Sequence, residues 1–384
     1  MATKHTMPRL LTIGAALMFI ASACGGGATN APAGSGVAGG WTPDATKLKA
    51  AKTEGALTLI AVPRDWCNYG AIIDDYTAKT GIPIKVITPD AGSGAEIEAI
   101  KTNTGAATTP DVVDVGISFG PANKALFLPY KVPTFDSIPT VDKDPDGAWA
   151  TDYYGVLSFE VNKNFVKDVP QDWNDLLKSG MKVALAGDPT LSSQAIQSVY
   201  AAALSQSGGS LDNAQPGLDF FKKLNDAGNF VPTIAKLASV VKGDTPIVIT
   251  WSYLALADRD AATKDGSADI QVVIPKTGLF AGKYVQAIAK VAPHPNAAML
   301  WEDLLFSDEG QNMWLTPPGY CITARFDDMK SRNVIPADVL SKLPNVACAV
   351  FPNAAQLDTA KTLITTNWKS VTGVGTFVTP PPVP

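Results

Sequence analysis

Short apolar runs alternate with helix-like segments along most of this chain, and this alternation restricts the fold more than any other feature. Residues 57–62, 83–87 and 111–115 are apolar runs of strand length, separated by segments with helical spacing. Strands that alternate with helices predict βαβ units and a parallel sheet. The alternation restarts near residue 155 and no short period repeats, so an α/β fold is expected rather than a solenoid.

The rest of the chain divides into elements in the same way. Further strands are predicted at 155–161, 182–186, 247–250, 270–274 and 284–289. Helices are predicted at 47–53, 69–80, 95–103, 194–205, 218–227 and 296–305, and another is expected to start within 173–177. Because the body of about 340 residues exceeds a comfortable single core, two lobes are expected.

The N-terminus has the order of a secretory signal. Lys4 and Arg9 precede an apolar stretch at 10–20, and small residues at 21–23 lead to Cys24. A cysteine at the cleavage point resembles the lipobox of bacterial lipoproteins, which implies a signal peptide at 1–23 and lipidation of Cys24. An ordinary cleaved signal remains the alternative. A flexible tether at 24–46 then follows, so we expect an extracytoplasmic protein anchored to the cell membrane.

Several classes of function are disfavoured by composition. The net charge of −5 is mild and no Lys/Arg cluster stands out, so a nucleic-acid partner is not expected. Beyond the signal region the one histidine is His294, held between two prolines, and no G-x-S-x-G elbow is present. Clusters of His and Cys that would form a zinc site are missing from the sequence. We therefore predict a protein that is not an enzyme and has no cofactor and no metal site.

Four segments resemble extracellular solute-binding proteins, the capture subunits of ABC importers, in their polyamine and iron(III) branch. These segments are 66–87, 241–251, 274–278 and 292–311, and the most specific is His-Pro-Asn-Ala-Ala at 294–298 followed by Ser-Asp-Glu-Gly-Gln at 307–311. The resemblance implies a type II periplasmic-binding-protein fold, in which two α/β lobes enclose a ligand cleft. It places one lobe at 47–154 and 286–325, the other at 155–285 and 326–384, and the crossings near 154–161 and 284–289.

Loops that follow strands are the expected ligand contacts, because strand C-termini and helix N-termini form the crevice of an α/β sheet. The candidates are Asp65, Trp66, Tyr69, Ser93, Phe119, Asp152, Tyr153, Ser193, Trp251 and Tyr253. Each also has a structural alternative: sheet-edge cover, a plain turn or hinge packing. Two acids among several aromatic rings favour a small organic cation, such as a polyamine.

Other ligands stay open as alternatives. Iron-binding relatives carry two adjacent tyrosines where this chain has only Tyr253, and the polyamine branch has acids where it has Ser193. Because the chain matches neither branch fully, ferric ion and a phosphonate or other oxyanion remain alternative ligands. The expected partners are the solute, ABC permease subunits and the membrane, for a monomeric protein. A sensor lipoprotein without a transport role is the alternative of another class.

Three cysteines remain for a disulfide outside the cytoplasm: Cys67, Cys321 and Cys348. We predict that Cys321 pairs with Cys348, because both lie in the loop-rich C-terminal region. Sequence does not fix this pairing, and the role of Cys67 stays open.

Overall fold

The computed structural model describes residue 1, residues 40–346 and residues 348–378. The predicted signal sequence after Met1, the lipidation site Cys24 and the tether up to residue 39 lie outside the described residues. None of the helices in the described part has both the length and the apolarity that a membrane span requires.

The strands and helices follow the alternation expected from the sequence. The strands are β1 Leu57–Ile60, β2 Ile84–Ile87, β3 Val112–Gly116, β4 Ala150–Asn162, β5 Val183–Leu185, β6 Phe230–Ile234, β7 Ile247–Trp251, β8 Ile270–Val273, β9 Ala281–Ile288 and β10 Ile322–Thr323. The helices are α1 Ala45–Glu54, α2 Tyr69–Thr80, α3 Ser93–Thr102, α4 Ser193–Gln206, α5 Gln215–Asp226, α6 Leu237–Lys242, α7 Ser252–Asp265, α8 Pro295–Leu305, α9 Asp308–Leu315, α10 Phe326–Ser331, α11 Ala337–Leu340 and α12 Ala354–Thr372. The segment Trp173–Leu177, where a helix was expected to start, forms a short 3₁₀ helix.

The sheet consists of two parallel parts joined by antiparallel strands. Its order is β2-β1-β3-β9-β4-β7-β5-β6, and β8 and β10 also pair with β4. β1 is parallel to β2 and β3, and β5 is parallel to β6 and β7. The long strand β4 pairs with β9 through its first half and with β7 through its second half. β4 and β9 therefore connect the two parallel parts, and the C-terminal ends of both parts face the connection.

Buried helices cover the sheet around each part. The alanine-rich helix α4 is almost wholly buried, and α5 and α12 pack against it. Trp368 on α12 is buried and contacts Phe221 and Phe230. By contrast, α10 and α11 contact Leu315 of α9 through Met329 and Val339. Of the last three described helices, α12 therefore packs against α4, whereas α10 and α11 pack against α9.

The disulfide bond joins Cys67 to Cys321, with their Cα atoms 5.7 Å apart. Cys348 is exposed and has a free thiol. The predicted pair of Cys321 and Cys348 is therefore wrong. Cys67 follows β1 and Cys321 precedes β10, and the fold brings these two buried positions together across 254 residues of sequence. Proximity along the chain did not predict the disulfide, because tertiary packing determines which cysteines come together.

Candidate ligand-binding site

Four aromatic side chains from separate segments meet where β4 and β9 join the two parts of the sheet. We call Trp66, Tyr153, Tyr253 and Tyr284 the aromatic box. The ring of Trp66 lies 5.9 Å from that of Tyr253 and 6.1 Å from that of Tyr284. Tyr153 lies 5.8 Å from Tyr253 and stacks on Tyr284 at 5.4 Å. The box combines rings from both parts of the sheet.

Local structure holds Trp66 in the loop after β1. Cys67 and Asn68 adopt positive φ angles of 44° and 63°, which turn the chain sharply before α2 begins. The disulfide at Cys67 fixes this turn, and the Asn68 side chain donates to the carbonyl of Met313. The indole of Trp66 then donates from Nε1 to Tyr153 Oη at 2.9 Å.

Tyr253 enters the box from the opposite side, because it lies in the first turn of α7 directly after β7. The approach depends on Gly155, where a Cβ atom would stand 2.5 Å from the Tyr253 ring. Tyr253 is 1% exposed, and its hydroxyl has no hydrogen-bond partner among the described residues. A buried hydroxyl without a partner needs an explanation, and a polar group of a bound ligand would supply the missing partner.

Two acids form the floor below the rings. Asp114 on β3 and Asp152 on β4 flank Gln286 on β9. Asp114 Oδ2 accepts hydrogen bonds of 2.8 Å from both Tyr69 and Tyr153. Gln286 Nε2 donates to Tyr69 Oη at 2.7 Å and to Asp152 Oδ2 at 3.0 Å. The second oxygen of Asp114, Oδ1, meets no donor in the described part of the chain.

Burial changes the protonation of these acids. It raises the pKa of Asp114 to about 7, although the hydrogen bonds from Tyr69 and Tyr153 lower it. Burial, followed by the charge of Asp114, raises the pKa of Asp152 well above its usual range. The two carboxyl groups lie within hydrogen-bond reach of each other. At neutral pH the pair therefore retains at least part of its protons.

Serines at the starts of two helices form another wall. Ser93 starts α3, and its hydroxyl accepts from Gly116 N at 3.0 Å. Ser193 starts α4 and accepts from Gln197 Nε2 at 3.0 Å. A Cβ atom at Gly116 would stand 2.7 Å from Ser193 Oγ, so the backbone of β3 closely approaches α4. This contact brings the two parts of the sheet together beside the box.

The remaining predicted residues lie at different distances from the box. Asp65 is exposed and does not belong to the box; burial and, after it, the charge of Asp65 raise the pKa of Asp258 on α7. Phe119 is outside the box and packs near Gly94, and Lys361 lies 4.5 Å from its ring centroid. Trp251 is fully buried and stacks behind Tyr253 at 6.4 Å. The rest, namely Trp66, Tyr69, Ser93, Asp152, Tyr153, Ser193 and Tyr253, line the box, its floor or its serine wall.

Sequence reasoning missed four residues of this arrangement: Asp114, Gln197, Tyr284 and Gln286. Asp114 and Gln286 are polar residues inside otherwise apolar strands, and this signal was available in the sequence. Gln197 lies within an alanine-rich helix and gave no comparable signal. Its Oε1 atom is buried without a partner in the described structure, and a Cβ atom at Gly282 would stand 2.4 Å from it.

A two-part α/β sheet whose parts meet at a junction lined by aromatic and acidic side chains is typical of binding proteins of the two-lobe, periplasmic type. A sequence model described as "bacterial extracellular solute-binding protein" matches residues 108–317. The chain belongs to this family. Its members act outside the cytoplasm, bind small-molecule solutes and work with the permease subunits of ABC importers. No curated protein sequence matches the chain.

Solved structures of similar shape confirm the expected fold. The binding protein AfuA from Actinobacillus pleuropneumoniae, with fructose-6-phosphate bound, has a TM-score of 0.65 at 18% identity over 84% of this chain and 99% of that chain. AgtB from A. tumefaciens, in complex with agropinic acid, has a TM-score of 0.66 at 14% identity over 83% and 99%. Iron-bound HitA from Pseudomonas aeruginosa has a TM-score of 0.60 at 17% identity over 83% and 99%. These likenesses establish the fold of the chain.

Proposed function

We propose that this solute-binding protein captures a small organic cation in the aromatic box and delivers it to an ABC permease. The observation that carries the proposal is the acid floor, in which Asp114 and Asp152 lie buried beneath four aromatic rings. Their hydrogen-bond partners in the described structure are tyrosines, Gln286 and backbone, without a lysine, arginine or histidine. A positively charged ligand would supply the counter-charge that these partners of Asp114 and Asp152 lack.

The aromatic rings support the same ligand class. A cation over a tryptophan or tyrosine face gains about 0.5–2 kcal/mol, and more when water is excluded. Asp114 Oδ1 and Tyr253 Oη are buried and have no partner in the described part of the chain, so each offers an acceptor to an N–H group of the ligand. The rings favour an organic cation over a sugar, and the acceptors favour a protonated amine among the cations.

The proposal includes the arrangement of the whole chain. One lobe comprises 47–154 and 286–325, and the other comprises 155–285 and 326–384. The packing of α10 and α11 on Leu315 favours moving the last border toward the C-terminus. A monomer anchored through lipidated Cys24 by a tether at 24–46 would present both lobes to the permease. A sensor with the same anchor is the competing reading, which a permease and an ATPase encoded beside the gene would disfavour.

An oxyanion is the second candidate, and one observation favours it. Ser93 and Ser193 start α3 and α4 on the two sides of Gly116, so two helix N-termini lie near one point. Helix N-termini attract anions through their free N–H groups and the helix dipole. Ferric ion is less well supported, because the hydroxyls of Tyr69 and Tyr153 donate to Asp114 and are therefore protonated.

A thermal-shift panel separates these ligands. The probes are putrescine, spermidine, choline, thiamine, aminoethylphosphonate, glucose and ferric citrate. A true ligand at ~100-fold its dissociation constant adds about 2.7 kcal/mol of stability, which is a clear shift. We expect a shift with at least one of the four cations. A shift only with aminoethylphosphonate, glucose or ferric citrate would contradict the cation proposal.

Trp66→Ala tests the location of the site, with Trp41→Ala as the matched control. Both tryptophans are half-buried and pack against the main core, but only Trp66 belongs to the box. We expect Trp66→Ala to abolish the cation shift and Trp41→Ala to keep it. Equal retention by both variants would place the ligand elsewhere.

A further inference from the structure

The acid pair under the aromatic box poses an electrostatic problem for the free protein. Asp152 is 0% exposed and Asp114 is 6% exposed. In the described structure their polar partners are Tyr69, Tyr153, Gln286 and the backbone N–H of Tyr153. An uncompensated buried charge costs several kcal/mol, so two ionised carboxylates side by side are strongly disfavoured.

Among the described residues, the elements around this pair add no positive charge to it. Glu96 on α3 and Glu302 on α8 are buried acids that interact with Asp114. The other titratable groups that face the pair are phenols: Tyr69 on α2, Tyr153 on β4, Tyr253 on α7 and Tyr284 on β9. Because every neighbour is acidic or neutral, a proton is the available counter-charge when no ligand is bound.

We propose that Asp114 and Asp152 share a proton in the free protein and exchange it for the ligand's positive charge. The inference rests on the proposed function, since it requires a cationic ligand. On capture, one proton leaves a carboxyl group for solvent water as the cation enters, and no covalent bond of the ligand changes. For a ligand with one positive charge, the net charge of the buried site stays the same through the exchange.

Proton exchange explains how the site tolerates burial in both states. The free protein avoids a pair of uncompensated carboxylates, and the bound protein places the cation beside ionised oxygens. The pKa of Asp114 of about 7, raised by burial, puts the exchange in the neutral range. Linkage then requires the association constant to rise with pH, by up to tenfold per unit while about one proton is released.

Isothermal titration calorimetry tests the exchange on the purified protein. Putrescine and choline are the probes, because both keep their positive charge at neutral pH. Each is titrated at pH 7 in phosphate, which has a small ionisation enthalpy, and in Tris, which has a large one. If about one proton is released per bound ligand, the two apparent enthalpies should differ by the difference between the ionisation enthalpies of the two buffers. The affinity should rise between pH 6 and pH 8.

Two variants and one control assign the proton. Asp114→Asn and Asp152→Asn should each reduce the proton release and flatten the pH dependence. Glu160→Gln is the matched control, because Glu160 is 2% exposed and lies within hydrogen-bond reach of Asp258 in a second acid pair. The Glu160→Gln control should release as many protons on ligand binding as the unmodified protein does.

The outcomes separate this inference from the function on which it rests. Cation binding without buffer-dependent enthalpy would overturn the exchange and leave the proposed function in place. Release that persists in Asp114→Asn and disappears in Glu160→Gln would also overturn the exchange, because the proton would then come from the second pair. Failure of both cations to bind, with binding of an anion or a sugar, would overturn the proposed function and the exchange together.

Discussion

At the scale of single residues, the box contrasts two buried tyrosine hydroxyls. Tyr153 Oη donates to Asp114 and accepts from Trp66 Nε1. The ring of Tyr253 lies 5.8 Å from that of Tyr153, and its hydroxyl has no partner in the described structure. Unpaired buried polar groups reduce stability, whereas paired ones are costly to remove. We therefore expect different roles for the two hydroxyls: that of Tyr153 stabilises the fold, and that of Tyr253 binds the ligand.

Removing each hydroxyl tests this contrast. We expect Tyr153→Phe to lower the free energy of unfolding by about 1–3 kcal/mol, because Asp114 and Trp66 both lose a partner. Tyr253→Phe should leave the stability of the free protein unchanged or raise it by up to about 1 kcal/mol, and should weaken cation binding. Urea denaturation measures both. Equal destabilisation by the two substitutions would contradict the assignment.

At the scale of elements, β3 and α4 approach each other where the two parts of the sheet meet. Gly116 makes this approach possible because it has no side chain to meet Ser193. The loop after β1 is held in turn by the bond from Cys67 to Cys321 beside β10. The disulfide positions the loop that carries Trp66, and the approach at Gly116 positions β3, which carries Asp114. A change at either should alter binding without touching an aromatic ring.

Gly116→Ala should weaken cation binding about tenfold. The added methyl group would stand 2.7 Å from Ser193 Oγ, and relieving such overpacking costs about 1–3 kcal/mol. Gly94→Ala is the matched control, because a methyl group there meets Phe119 at an ordinary 3.7 Å. Calorimetric affinities of the two variants decide the matter. Unchanged affinity in Gly116→Ala would show that β3 and α4 need not approach closely.

Loss of the disulfide should affect both stability and binding. We expect replacement of Cys67 and Cys321 by Ala to lower the free energy of unfolding by about 2–5 kcal/mol, since the bond closes a long loop in the unfolded chain. It should also weaken cation binding, because Trp66 is the neighbour of Cys67. Cys348→Ser, at the exposed free thiol, should change neither. A larger effect from Cys348→Ser would contradict the observed pairing.

At the scale of the whole molecule, buried acids dominate the electrostatics. Burial raises the pKa of Asp114 to about 7, of Asp258 to about 6 and of Glu302 to about 8. Asp308 behaves oppositely, because hydrogen bonding and charge from Arg332 and Arg325 lower its pKa. Acids with raised pKa values bind protons more tightly in the folded state. Their favourable contribution is full below about pH 4 and is lost as the pH rises through 6 to 8.

The melting temperature of the free protein should therefore be higher at pH 5.5 than at pH 8.5. Glu302→Gln should reduce this difference, because an amide has no proton to lose and Glu302 is among the acids concerned. Scanning calorimetry across this range measures the trend. A melting temperature that rises steadily toward pH 8.5 would contradict the protonation of the buried acids. Cation affinity should follow the opposite trend with pH.

The sequence by itself determined most of the described strands and half of the described helices. The helix Tyr69–Thr80 has the predicted bounds, with Gly81 in the left-handed conformation after it, and the predicted strands lie at or near observed ones. The strands β6 and β10 and the helices α7 and α12 were not predicted. Local periodicity and the glycine and proline positions carry this information within a few residues, so no tertiary knowledge is needed. The motif at 294–311 further indicated the family, which the match over 108–317 then established.

Only the tertiary structure decided which side chains meet. The partner of Cys321 lies 254 residues away, and the floor under Trp66 and Tyr253 combines Asp114, Asp152 and Gln286 from three neighbouring strands. Such contacts depend on strand order and register, which local patterns do not encode. Asp65 shows the converse, because an acid beside Trp66 in sequence lies exposed and outside the box. The elements are set by interactions between near neighbours in the chain, and the site by packing between distant ones.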